Sequence, residues 1–129
     1  METAKIKEVV RKYTEVIHTQ NKEDFYSLWA SNEGCVLISG VNQFQGVDSI
    51  YQDFLIDRIQ KRFSVIHLIA EQIDVHILSE NLVTVVFRYH TECILRENGE
   101  DFGIKGLETQ VIVKEDGEWK LQHVHYSAG

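Results

Sequence analysis

The 129-residue chain contains no proline, and no glycine- or serine-rich stretch, repeat or low-complexity run interrupts it. Nothing in it marks a linker, so the sequence predicts one domain over residues 1–129. Only two cysteines occur, Cys35 in CVLIS and Cys93 in HTECIL, each inside an apolar segment and outside any CxxC spacing. No disulfide is implied, and two reduced core thiols are expected, with a redox or nucleophilic role as the alternative. No apolar stretch approaches the ~20 residues that a membrane-spanning helix needs. The charged start METAKIKE lacks the apolar region of a secretory signal, so a soluble, cytoplasmic protein is expected. Lysine and arginine never cluster beyond Lys61-Arg62, and the net charge is −7. Phosphate backbones and anionic membranes are held by clustered cations, so neither nucleic acid nor membrane is an expected partner. Phosphate-binding glycine loops, H-E-x-x-H and nucleophile-elbow motifs are also missing, and no cofactor or metal is implied.

What the chain does contain is periodic. From Ala4 to Thr19, Ile6, Val9, Val10, Tyr13, Val16 and Ile17 form a helical stripe. A short second helix, Lys22 to Ala30, carries Phe25, Leu28 and Trp29. After a strand at Cys35 to Ser39 and a loop from Gly40 to Gly46, Val47 to Phe63 reads as a third helix with Ile50, Tyr51, Phe54, Leu55 and Ile59 on its apolar side. Residues 64–78, 82–95, 104–114 and 119–127 then read as strands joined by short polar turns, an antiparallel meander. Helices first and strands after predict an α+β fold, with three N-terminal helices packed on one face of a curved, mainly antiparallel sheet.

The strand from Leu82 to His90 is apolar on both parities: Val83, Val85, Phe87 and Tyr89 on one, Leu82, Thr84 and Val86 on the other. Three helices cover one face only. The second face predicts a homodimer through the sheet, with Val83 and Val111 as the positions where a charge would weaken it.

Asp116-Gly117 between two strand-like runs is a strong hairpin signal. A two-residue turn there opposes Glu115 to Glu118, whereas a three-residue loop opposes Lys114 to Glu118 and avoids the like-charge pair. The second register is the expected one. It sends Glu108, Gln110, Ile112, Val124 and Tyr126 to one face, and Val111, Val113, Trp119, Leu121, His123 and His125 to the other.

This order of elements, with VVRKY, DFYSLWA, Gly46 opening the third helix and the closing GEWKLQHVHYS, resembles the SnoaL-like and ketosteroid-isomerase-like superfamily, the cone-shaped roll also used by nuclear transport factor two. Through LETQVIVKEDGEWKLQHVHYSAG it is most similar in flavour to the association domain of calcium/calmodulin-dependent protein kinase II and its small bacterial relatives. The resemblance implies a cone-shaped α+β roll around a cavity. It also implies that Tyr13 matches the oxyanion-donating tyrosine of ketosteroid isomerases, and that their second carboxylic acid falls near Glu108 to Gln110. Their general-base aspartate falls near Leu37 or Ile38, which cannot take a proton, so steroid isomerisation is not carried over. Arg88 matches a pocket arginine of the kinase association domain, while two others fall at Gln110 and Tyr126.

Glu108 and Tyr13 are therefore the candidate catalytic pair. Burial would raise the pKa of Glu108 and suit it to acid/base work; an ion pair with Arg88 would lower it. Arg88 is a candidate carboxylate-binding cation or half of a buried pair with Glu108 or Glu92. Gln110, Tyr126, Tyr51 and His125 complete the candidate ligand contacts. His123 and His125 make an H-x-H pair without a third ligand at fixed spacing, which does not amount to a metal site. The expected function is a small dimeric cavity protein that binds an organic carboxylate or carbonyl compound with weak isomerase-, dehydratase- or cyclase-like turnover. The alternative is a non-catalytic assembly module with a vestigial pocket.

Overall fold

The apolar stripe of the first helix, α1 (Glu2–Thr19), is buried along Ile6, Val9, Val10, Tyr13, Val16 and Ile17. Asn21 then caps α2 (Lys22–Ser27): its side-chain oxygen accepts from the Asp24 amide at 3.0 Å, an arrangement worth about 1 kcal/mol. Residues 2–129 are described in this computed structural model. The third helix opens at Gly46, whose φ of 84° suits glycine, and runs as α3 (Val47–Ser49) straight into a π-helix, Ile50–Gln60. Its hydrogen bonds reach one residue further than in an α-helix, the last from the Lys61 amide to the Ile56 carbonyl at 3.0 Å. The wider turn fits the sequence, because the inward positions Ile50, Phe54 and Leu55, and Ile59 recur every four to five residues.

The described residues form seven strands, two before the third helix and five after it: β1 (Val36–Ser39), β2 (Asn42–Gln45), β3 (Phe63–Ser79), β4 (Leu82–Leu95), β5 (Asp101–Phe102), β6 (Lys105–Glu115) and β7 (Glu118–Ala128). The sheet order is β2-β1-β7-β6-β4-β3, with β5 on the end of β4, and only the β1–β7 pair is parallel. The sheet curls into a half-barrel whose concave side receives the helices, as expected. Two sequence-based expectations are corrected. Part of the Gly40–Gly46 loop is β2, folded back on β1 through Gly40 at φ 60°. Phe63 opens β3 instead of closing the third helix.

The hairpin register is also corrected. Glu115 faces Glu118 across a two-residue turn in which Asp116 (φ 51°) and Gly117 (φ 79°) are both left-handed, the type I′ geometry that matches strand twist. The like charges are tolerated because Glu115 turns to Ser31, accepting from its amide at 3.1 Å and its hydroxyl at 2.8 Å. A bulge then intervenes. Val111 pairs with His123 but Ile112 with Leu121, leaving Gln122 without a partner. Trp119 and Leu121 therefore face inward, contrary to expectation, while Val124 and Tyr126 still share the interior face with Glu108, Gln110 and Ile112. β3 uses the same device at Glu71: Ile66, Leu68 and Ala70 face inward before the bulge, Ile73 and Val75 after it.

Val83 is fully buried beside Val85 and Phe87, so it belongs to the core and not to the outer face. The outer face carries Val86, Thr84, Val111 and Thr109 across adjacent strands, flanked by Val36 and Ile38 on β1. Gly106 lies where β6 crosses the end of β7, and a Cβ there would overlap the Ser127 carbonyl. Gly106→Ala should destabilise the fold by roughly 1–3 kcal/mol, the usual penalty for forcing extra volume into packed structure; an unchanged urea midpoint would contradict this close approach.

Candidate functional site

A cavity of about 330 Å³ lies between the concave sheet and the helices. α1 contributes Tyr13 and Ile17, the π-helix Phe54, Arg58 and Ile59, and the sheet Leu68, Tyr89, Glu108 and Tyr126. Alternation along β4 and β6 accounts for the placement: Tyr89 follows Val85 and Phe87 inward, and Glu108 pairs with Phe87 on β4 and Tyr126 on β7.

Glu108 is the buried carboxyl of this cavity. It is 2% exposed and accepts a hydrogen bond from the Gln110 side-chain amide at 2.8 Å. Burial pushes its pKa up to about 8, outweighing the opposing effect of the Gln110 hydrogen bond. At neutral pH it is mostly a carboxylic acid, able to give a proton, with a minor ionised fraction able to take one. Tyr13, 1% exposed, is held protonated by burial and then by the neighbouring Glu108 charge. The Tyr89 hydroxyl donates to the Ser127 carbonyl at 2.8 Å. The Tyr126 oxygen accepts from Ser39 at 2.7 Å, which leaves its own hydrogen free to donate. A carboxyl and the phenols of Tyr13 and Tyr126 around an apolar space can hydrogen-bond a carbonyl oxygen and move a proton beside it, while the Tyr89 hydrogen stays on the Ser127 carbonyl.

The expected site residues divide between the two sheet faces. Tyr13, Glu108 and Tyr126 line the cavity, and fully buried Gln110 stands behind Glu108. Arg88 lies on the outer face, exposed, opposite Gln72 and Leu107, because it is one residue out of phase with Phe87 and Tyr89. It pairs with neither Glu108 nor Glu92; the latter meets His90 at 3.1 Å. His125 is likewise exposed on the outer face, on the far side of the bulge from Leu121. Tyr51 packs away from the cavity against Phe25 and Tyr26, with the Lys22 ammonium over its ring at 5.2 Å. Among the described residues no group of three or more His, Cys, Asp or Glu side chains is placed to hold a metal.

Sequence reasoning missed Tyr89, Arg58 and Arg62, all of which line the cavity. The signal for Tyr89 was present in its shared parity with Val83, Val85 and Phe87. No such signal existed for the arginines: the placement of Arg58 depends on the π-helical phase, and Arg62 lies in the turn just beyond that helix.

The cone-shaped α+β roll matches known structures closely. A nuclear transport factor 2 (NTF2-like) superfamily protein from Salmonella enterica serovar Typhimurium superposes with a TM-score of 0.90 at 25% identity, over 95% of this chain and 87% of that one. The hexachlorocyclohexane dehydrochlorinase LinA-type3 from Novosphingobium barchaimii gives 0.87 at 14% identity, over 99% and 86%. A protein assigned as a calcium/calmodulin-dependent protein kinase II association domain, from Xanthomonas campestris, gives 0.81 at 18%, over 96% and 85%. The family model of the SnoaL-like domain matches residues 2–125, and the chain belongs to that family. No curated protein matches it significantly. No helix among the described residues is long and apolar enough to cross a membrane.

The pKa of Glu108 sets a pH dependence. Its folded value of about 8 lies above the ordinary 4.5, so between these values the folded protein keeps a proton that the unfolded chain releases. Stability should fall as pH rises from about 4.5 to about 8 and level off above. At ~1.36 kcal/mol per pH unit the full loss is on the order of 4–5 kcal/mol. Urea midpoints from pH 5 to 9 should show this slope in the native chain and its absence in Glu108→Gln; parallel curves would contradict the neutral carboxyl.

Proposed function

We propose that this chain is a small dimeric cavity protein that binds an organic carboxylate or carbonyl compound and turns it over by acid/base chemistry of isomerase, dehydratase or cyclase type. The observation that carries this reading is Glu108: a carboxyl 2% exposed, with its pKa pushed to about 8, facing a cavity large enough for a small ring compound. In this reading Glu108 moves the proton, while Tyr13 and Tyr126 hydrogen-bond the oxygen on which negative charge develops. Proteins of the same fold include ones assigned as dehydratases and a dehydrochlorinase, reactions in which a base removes a proton and a group departs. The chain works as one domain, and its two free buried cysteines suit a reducing cytoplasm.

The dimer forms through the outer sheet face, where Val36, Ile38, Thr84, Val86, Thr109 and Val111 lie side by side. Sedimentation at micromolar concentration should give a dimer, and Val111→Glu should give a folded monomer. A native chain that stays monomeric at that concentration would remove this interface.

The catalytic reading is tested by proton–deuterium exchange beside the carbonyl of small ketones and keto acids, followed by NMR. Exchange should rise with pH to a plateau above about 8, as Glu108 ionises. Glu108→Gln should slow it by roughly 10²–10⁴-fold, the typical contribution of a positioned acid or base. A protein that dimerises but neither binds nor exchanges any such compound would be an assembly module instead.

A further inference from the structure

Two cations stand at the rim of the cavity without a counter-charge. Arg58, near the end of the π-helix, and Arg62, just beyond it, both line the cavity and are both exposed at its mouth. The chain has twenty acidic residues against thirteen basic ones, yet among the described residues neither arginine has a carboxylate within ion-pair distance. The nearest acidic residue in sequence that lines the cavity, Asp57, is taken by Lys61 at 2.9 Å.

Aromatic rings hold both guanidinium groups in place. The Arg62 guanidinium carbon lies 4.5 Å from the centre of the Phe102 ring and 5.0 Å from that of Phe63, and Arg58 lies 5.4 Å from that of Phe44. A stacked guanidinium keeps its edge donors free, and these are the groups that grip a carboxylate. Both charges also reach the Tyr126 hydroxyl, where they oppose the rise that burial imposes on its pKa. The two arginines therefore act on the same space as the phenols and Glu108. Polarity runs along the cavity: fixed positive charge at the rim, apolar walls between, and a neutral acid at the closed end.

We propose that Arg58 and Arg62 form a carboxylate clamp, so that the ligand of this site is a monocarboxylic acid with an apolar body and a carbonyl or hydroxyl group at its far end. This rests on the reading of the Glu108 cavity as a ligand site and specifies how the ligand lies in it: acid outward, carbonyl inward beside Glu108 and Tyr13. A carboxylate suits the clamp better than a phosphate. The arginines stand at the C-terminal end of a helix, where outward-pointing backbone carbonyls disfavour a second negative charge, and the chain as a whole carries −7.

The test is calorimetric titration with benzoate, phenylacetate and phenylpyruvate, with their neutral counterparts benzamide, phenylacetamide and phenylacetone, and with phenyl phosphate. The native chain should bind at least one acid tenfold or more tightly than its neutral counterpart. Arg58→Gln or Arg62→Gln should each erase most of that advantage, Arg62→Lys should keep part of it, and the double Gln variant should bind acid and neutral compound alike. Circular dichroism melts of each variant separate loss of the clamp from loss of the fold. Equal binding of acid and neutral compound by the native chain would overturn the clamp while leaving the cavity reading intact. Tighter binding of phenyl phosphate than of every carboxylate would overturn the choice of carboxylate. No binding by any compound would overturn the clamp and the cavity reading together.

Discussion

Gln122, the bulge residue of β7 that has no partner on β6, governs what the interior of this protein contains. The type I′ turn at Asp116-Gly117 fixes the start of the pairing, and on that register alone Glu108 would oppose His125. The unpaired residue shifts the phase, so that Trp119 and Leu121 fill the base of the core while Val124 and Tyr126 face inward further along. Without it, His123 and His125 would turn inward and the phenol would leave. The identity of the cavity's polar groups, an acid among phenols and not among imidazoles, is thus a consequence of strand register.

The same feature explains how far the sequence could be read. Element order, helix faces and four long strands follow from hydrophobic period, and the burial of Tyr13, Glu108 and Gln110 agrees with the faces expected of them. At the hairpin turn like-charge repulsion opposes turn geometry, and geometry prevails because Glu115 bonds to Ser31 instead. A clue to the bulge was nevertheless legible: the apolar positions 119 and 121 are odd, and 124 and 126 are even, so the alternation itself slips between them. β3 shows the same slip between Ala70 and Ile73. Arg88 is a charge inside an apolar run, yet parity with Val86 puts it outside. The cavity-facing arginines were beyond reach, since a helical stripe does not announce an i→i+5 pitch.

Inside the cavity the carboxyl of Glu108 has an amide, not a cation, as its hydrogen-bonded partner, and burial keeps it mostly neutral near pH 7. The Gln110 oxygen is buried without a partner in the arrangement where its nitrogen donates to Glu108. Rotating that amide would let its oxygen accept from the protonated acid. An amide of this kind can serve both protonation states of the carboxyl, donating to the anion and accepting from the acid, at the cost of one buried polar atom in either.

Along β4 the inward residues Val83, Val85, Phe87 and Tyr89 interleave with Thr84, Val86 and Arg88 on the outside. Each strand of the roll therefore spells two messages in alternate letters, one addressed to whatever occupies the cavity and the other to whatever meets the convex surface. Substitutions can accumulate in one set without rewriting the other. An ancestral chain of this design could change its small-molecule chemistry while keeping its surface, or the reverse, with the backbone unchanged.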